Sequence, residues 1–182
     1  CIIAEGLHRS IHPEGPHSMG MLVGGGGRDV VVRDSLFAAN HDRNIRWLPG
    51  SSGRMLGTLV YGWGGDARSN TTNASGDRPD DPPVLLDLIG NRFIPGPAGR
   101  ADAPAISASP ATRGSRFHLR DNAAPAEPDL SPDVLSDAPL APAPDDPPAG
   151  SSITLDQLTP LIGSRPWERN ETDLRVLEGV RT

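Results

Sequence analysis

Asn40-His41-Asp42-Arg43-Asn44-Ile45-Arg46-Trp47 is a short polar run set between apolar, β-branched segments. Upstream lie Met19-Gly-Met-Leu-Val23 and Asp29-Val-Val-Val-Arg-Asp-Ser-Leu-Phe37. Downstream lie Asn44-Ile-Arg-Trp-Leu48 and Arg54-Met-Leu-Gly-Thr-Leu-Val-Tyr-Gly-Trp63. Gly, Asn, Asp and His punctuate these segments, and no stretch of helical period separates them, so they read as short strands. Ser35-Leu-Phe-Ala-Ala-Asn40 and Thr58-Leu-Val-Tyr-Gly-Trp63 share a polarity pattern at an offset of 23 residues, and Gly20-Met-Leu22 and Asn44-Ile-Arg46 share one at 24. A period in the low twenties carried by short strands predicts a β-solenoid, in which each turn pairs in parallel with the next and all bury one continuous core.

The bulk composition agrees with a turn-rich β protein. The 182 residues suit one domain, with two possible, and include 21 glycines and 20 prolines. A net charge of −6 argues against a nucleic-acid partner, which calls for a basic stripe. All 17 basic side chains are arginine, so any cationic site must be built from Arg. The single cysteine, Cys1, excludes an internal disulfide. No apolar run approaches the roughly 18 residues of a membrane span. The chain opens on Cys1-Ile2-Ile3 without a Met, and reads as the C-terminal part of a longer protein.

Further along, Gly24 to Gly27 read as a flexible turn, because no Lys-Ser/Thr follows and the flanks are strands. Residues 65–83 are polar and rich in Pro and Asp, an insertion between strands. Val84-Leu-Leu-Asp-Leu-Ile-Gly-Asn-Arg-Phe-Ile94 reads as two strands meeting at Gly90-Asn91, and Arg116-Phe-His-Leu-Arg-Asp-Asn122 as the last strand. Asn40, Asn91 and Asn122 stand at strand ends, where Asn tolerates left-handed backbone and bonds to main chain, as a repeated tight bend requires. Strand repeats are therefore expected over 1–122. A Pro/Ala/Asp-rich linker follows over 123–150. A short helical tail over 151–182 is expected to pack on the strands. Thr154-Leu-Asp-Gln157 has the form of a capping box, Gly163 ends that helix, and Asn170 caps a second one with Leu174, Leu177 and Val180 on one face.

Several phrases resemble the pectate lyase superfamily of right-handed parallel β-helix proteins. They are Cys1-Ile-Ile-Ala-Glu-Gly-Leu7, His17-Ser-Met-Gly-Met-Leu22, Leu36-Phe-Ala-Ala-Asn-His-Asp-Arg-Asn44, Leu59-Val-Tyr-Gly-Trp63, Leu88-Ile-Gly-Asn-Arg-Phe93, Pro95-Gly-Pro97 and Gly163-Ser-Arg-Pro-Trp-Glu-Arg169. The resemblance implies an all-β, right-handed parallel β-helix, N-terminally truncated, and a secreted or periplasmic enzyme that is monomeric at full length. It implies cleavage of an acidic polyuronate by β-elimination, with Ca²⁺ binding the substrate carboxylate and easing loss of the neighbouring proton. The Ca²⁺ ligands are expected on strands upstream of Cys1, so no metal ligand is assigned within this chain. Arg43 falls on the position of the base in the family's Arg-x-Pro-x-x-Arg pattern. Arg46, His17 and His41 are the expected substrate-binding residues, Arg46 through a bidentate pair with a uronate carboxylate.

The run departs from that pattern at Ile45, where the family has proline, and at Leu48, where it has a second arginine. An arginine base also demands a dry setting beside other cations, because guanidinium is normally protonated in proteins. Arg28, Arg33, Arg43 and Arg46 are the candidate cationic cluster, and loop pairing of Arg43 with Asp42 or Asp34 is the structural alternative. His8, His12 and His17 lack a Cys or carboxylate that completes a zinc set and read as rim residues. Trp47 and Trp63 suit core packing better than sugar stacking. Two other functions stay open: a non-catalytic carbohydrate-binding β-helix, and a β-helix hydrolase using Asp34 and Asp42 as its carboxylate pair.

Overall fold

A computed structural model describes residues 1–9, 11–13, 15, 17–64, 72–76, 78, 80–97, 99, 102–109, 114–140 and 146–181. Twelve strands lie among them: β1 (Ile2–Ala4), β2 (Met19–Val23), β3 (Val30–Arg33), β4 (Leu36–Ala38), β5 (Asp42–Trp47), β6 (Ser52–Leu56), β7 (Leu59–Tyr61), β8 (Thr72–Ala74), β9 (Leu85–Ile89), β10 (Arg92–Ile94), β11 (Ile106–Ala108) and β12 (Arg116–Arg120). They form three four-stranded sheets in the orders β1-β4-β7-β10, β2-β5-β8-β11 and β3-β6-β9-β12. Every pairing is parallel. Successive strands thus enter the first, second and third sheet in rotation, an all-β arrangement of the parallel-β-helix-like kind. Among the described residues no helix is long and apolar enough to cross a membrane.

In-register pairing places like side chains over one another. Ile3, Phe37, Val60 and Phe93 form one column across the first sheet. Val32, Met55, Leu88 and Leu119 form another across the third. Both columns belong to one apolar core. Where a large ring enters, a neighbour gives way. Gly53 lies between Val30 and Leu86 in register, and a Cβ there would come within 2.5 Å of the Trp47 ring and 2.3 Å of the Val30 carbonyl oxygen. Trp47, fully enclosed, occupies the volume that a side chain at position 53 would need.

The corner from the third sheet to the first repeats one device. A left-handed residue (Asp34, Gly57, Gly90 or Asp121, with φ of 45, 51, 67 and 56°) is followed by an inward polar one: Ser35, Thr58, Asn91 or Asn122. The polar side chains then tie the corners together. Asn91 Oδ1 accepts from the Thr58 amide at 2.9 Å. Asn91 Nδ2 donates to the Met55 carbonyl and to Asn122 Oδ1, both at 2.9 Å, and Asn122 Nδ2 donates to the Leu88 carbonyl at 2.7 Å. The expected asparagine bends are present, with the left-handed conformation one residue earlier. Asn40, Asn91 and Asn122 follow Ala39, Gly90 and Asp121, which carry the positive φ.

Other boundaries differ from expectation for similar reasons. The segments 29–37 and 54–63 each split into two strands, because Asp34 and Gly57 turn the chain. The polar insertion contributes β8 to the second sheet, while residues 65–71, 77 and 79 of it lie outside the described residues. β11 carried no sequence signal of its own. The Pro-rich segment 123–150 bridges each sheet in turn, through Ala123 to Arg92, Asp129 to Ser107 and Leu135 to Phe117. Beyond Leu135 the Leu140 amide donates to Asp87 and Asp146 meets Arg54, with Asp87 and Arg54 both on the third sheet, while residues 141–145 of the segment lie outside the described residues.

The tail behaves as an amphipathic cover. α1 (Leu155–Leu158) carries the Thr154/Gln157 capping box, and Asn170 Oδ1 accepts from the Asp173 amide at 2.9 Å at the start of α2 (Glu171–Arg181). Leu158, Ile162, Val176, Leu177 and Val180 pack on Leu36, Ala38 and Leu59 of the first sheet. Val176 takes the place expected for Leu174, which is 54% exposed: the buried stripe runs one residue round the helix from the 174/177/180 face. Asn91→Ala removes the acceptor of the Thr58 amide and the donors to the Met55 carbonyl and the Asn122 side chain and should lower stability by more than about 2 kcal/mol. Gly53→Ala should lower it by about 1–3 kcal/mol through overpacking. Urea unfolding midpoints at unchanged slope check both.

Candidate functional site

The central run becomes β5, and β5 is irregular. Met21 of β2 pairs with Asn44, yet Leu22 pairs with Arg46. Ile45 is therefore the additional residue of a bulge, which breaks the alternation and leaves both Asn44 and Ile45 buried. Arg43 precedes the bulge with φ of 58°. Its amide donates to its neighbour's carboxylate, Asp42 Oδ1, at 2.6 Å. Asn40 Nδ2 donates to Asn44 Oδ1 at 3.1 Å, and Asn44 Nδ2 returns a bond to the Asn40 carbonyl at 3.3 Å. Across the ladder, a Cβ on Gly20 would lie 2.6 Å from Asn44 Oδ1 and 2.8 Å from the Arg43 carbonyl oxygen.

The expected site residues gather here. Arg43 is half-buried, and its Nε is enclosed without a hydrogen bond. Arg46 Nε donates to Ser75 Oγ at 3.0 Å, beside Asn73 of β8. The His41 amide donates to Ser18 Oγ at 3.3 Å, and its ring lies 5.0 Å from that of His8. His17 stacks on His12 at 3.8 Å, and its amide donates to the His8 carbonyl at 3.0 Å, which joins the two histidine pairs. Asp42 is the shared neighbour on β5. Burial raises its carboxyl above the usual range, and the Arg43 amide bond with the charges of Arg43, Arg46 and His41 partly offsets that.

Other candidates fall elsewhere. Arg33 pairs with Asp34 at 3.0 Å, at the far end of β4 from Asp42, so it does not join Arg43 and Arg46. The same separation splits the Asp34/Asp42 pair that a hydrolase would need. Trp47 and Trp63 are core residues, 0% and 2% exposed, and Trp63 meets Phe93 edge-on at 6.3 Å. Sequence reasoning missed a second polar column, Arg54, Asp87 and His118, in register on the third sheet. Arg54 Nε donates to the fully buried Asp87 at 3.1 Å, and His118 Nδ1 lies 3.0 Å from the Ser136 carbonyl oxygen. The His118 contact, with Asp146 on Arg54 and the Leu140 amide on Asp87, ties the Pro-rich segment to this column. A lone Asp amid Leu-Leu-Asp-Leu-Ile was the available signal.

The donors at β5 do not fit a calcium site. Ca²⁺ takes about six to eight oxygen ligands, whereas Asp42 is one carboxylate flanked by two guanidinium groups and a histidine. Among the described residues no group of three His, Cys, Asp or Glu side chains is placed to hold a metal ion.

A raised carboxyl pKa has a signed consequence. The stability Asp42 contributes is fully present below its unfolded value of about 3.8 and is lost as pH rises through the folded value. Asp42→Asn keeps an acceptor oxygen and cannot ionise. Wild type should therefore lose stability relative to Asp42→Asn as pH climbs from below that window to neutrality, and unfolding midpoints of both chains across the range check it. Comparison of the chain with family models, with characterised proteins and with solved structures returned no match.

Proposed function

We propose that the three sheets wind as a right-handed parallel β-helix and that the protein is a pectate-lyase-like polysaccharide lyase acting on an acidic polyuronate. The observation that carries this is the crowding of Arg43, Arg46 and His41 about one strand, with Arg43 held in an unfavourable backbone conformation. Strain of this kind persists where surrounding structure over-determines it, and it clusters at functional sites. A cationic strand suits a polyanion even on an acidic chain, because local field rather than net charge meets the ligand.

In this reading Arg46 pairs with a uronate carboxylate and His41 and His17 contact sugar hydroxyls. Arg43, in its neutral form, takes the proton from C5 and becomes guanidinium. The electron pair forms the C4–C5 double bond, the C4–O bond to the leaving sugar breaks, and that oxygen takes a proton from solvent. The product is an unsaturated uronide. No step is assigned to calcium. The sequence phrases quoted above support the family, and the parallel three-sheet arrangement is compatible with it.

A carbohydrate-binding protein without catalysis is the second reading. It is favoured by Ile45, which stands at the motif proline position and is wholly buried, so the departure serves packing. The test follows ultraviolet absorbance on polygalacturonate, with calcium and with chelator. Absorbance should rise with wild type, and Arg43→Ala should slow it by the roughly 10²–10⁴-fold that a positioned acid or base supplies. A folded wild type that binds polyuronate and produces no absorbance selects the binding reading.

A further inference from the structure

We propose that Asp42, backed by the Asn40–Asn44 pair and Gly20, is a positioning residue that locks Arg43 in its left-handed conformation and so aims its guanidinium; this rests on the reading of Arg43 as the reacting group. Among the described residues the other non-glycine positions with positive φ are Glu5, Asp29, Asp34, Ala39 and Asp121. Each of those stands at a strand boundary, where the chain passes between sheets. Arg43 alone lies inside a strand, where no change of sheet requires it. Its conformation serves side-chain direction instead, as does the bulge that follows two residues later.

The fixing contacts converge on the two peptide units that flank Arg43 and on the Asn44 side chain that follows. Asp42 Oδ1 accepts from the Arg43 amide at 2.6 Å, and so holds the entering side. The Arg43 carbonyl oxygen and Asn44 Oδ1 close over Gly20, where a Cβ would have to displace both. Asn40 holds the Asn44 side chain through a reciprocal pair of bonds. A carboxylate used as an acceptor for a backbone amide is spent on geometry, which separates its role from that of an acid or base.

The test uses the 182-residue chain and two readouts. Hydrogen exchange of the Arg43 amide, followed by NMR, needs no substrate. Protection is expected in wild type and in Asp42→Asn, and its loss in Asp42→Ala while the other β5 amides stay protected. On polygalacturonate, Asp42→Ala should lower kcat about 10²-fold at little-changed KM, the scale of a small misplacement of a reacting group. Asp42→Asn should recover most of that loss. Asp42→Ala should add nothing in an Arg43→Ala background, and Gly20→Ala, which pushes on the Arg43 carbonyl, should reproduce the kcat loss. Unchanged Arg43 protection in Asp42→Ala overturns the proposal, as does a kcat loss that persists undiminished beside Arg43→Ala. A wild type inactive on every polyuronate removes the assigned chemistry, and the exchange result then decides the positioning by itself.

Discussion

Each return of the chain to the first sheet depends on the hydrogen bonds of a buried corner. A chain that turns sharply inside a parallel stack strands amide and carbonyl groups where water does not reach, and each unpaired group costs about 1–3 kcal/mol. The corner meets this with a left-handed residue and an inward polar one. Asn91 shows how completely: its side chain satisfies the Thr58 amide and the Met55 carbonyl and joins Asn122 above. Ser35 and Thr58 have shorter side chains and bond back to the carbonyls of Arg33 and Leu56, two residues earlier. With the corners fixed, the strands fall into register, and the apolar columns of the core follow.

The stack leaves different work for its outer faces. The tail helices cover the first sheet with aliphatic side chains. The Pro-rich segment covers part of the third, where Asp146 meets Arg54 and the Leu140 amide meets Asp87, the two partners of a buried ion pair within the sheet. Breaking one partner of such a pair is far more damaging than its net contribution suggests, so this face is committed to structure. Strand β5 of the second sheet differs. Among the described residues Asp42 bonds within the strand and Arg46 bonds to Ser75 after β8, while His41, just before the strand, bonds to Ser18. A left-handed arginine and a bulge are costly there, and neither is needed to bring the chain round.

Much of this was legible because the corner chemistry is written in residue types. Gly90-Asn91 stands between two apolar runs and names both strands and their joint. Asp34-Ser35 and Gly57-Thr58 do the same work inside continuous apolar stretches, which hid the joints and merged strand pairs. β8 reads Thr-Asn-Ala, with no apolar alternation, and is a strand only because β5 and β11 flank it. In the candidate site, Arg43, Arg46, His41 and His17 were singled out through phrases resembling a known superfamily, and the structure places them near one another. The bulge at Ile45, the left-handed Arg43 and the part played by Asp42 were not. No glycine or proline marks them, and they arise from the register of β2 against β5, which local sequence does not contain.

The most direct measurement is a crystal structure of the chain soaked with a short oligogalacturonate. The account predicts four-strand parallel sheets meeting at the polar corners, with a uronate carboxylate on Arg46 and the C5 face of a sugar ring towards Arg43. An oligosaccharide seated away from β5, or an Arg43 with ordinary extended backbone pointing from the sugar, would contradict it.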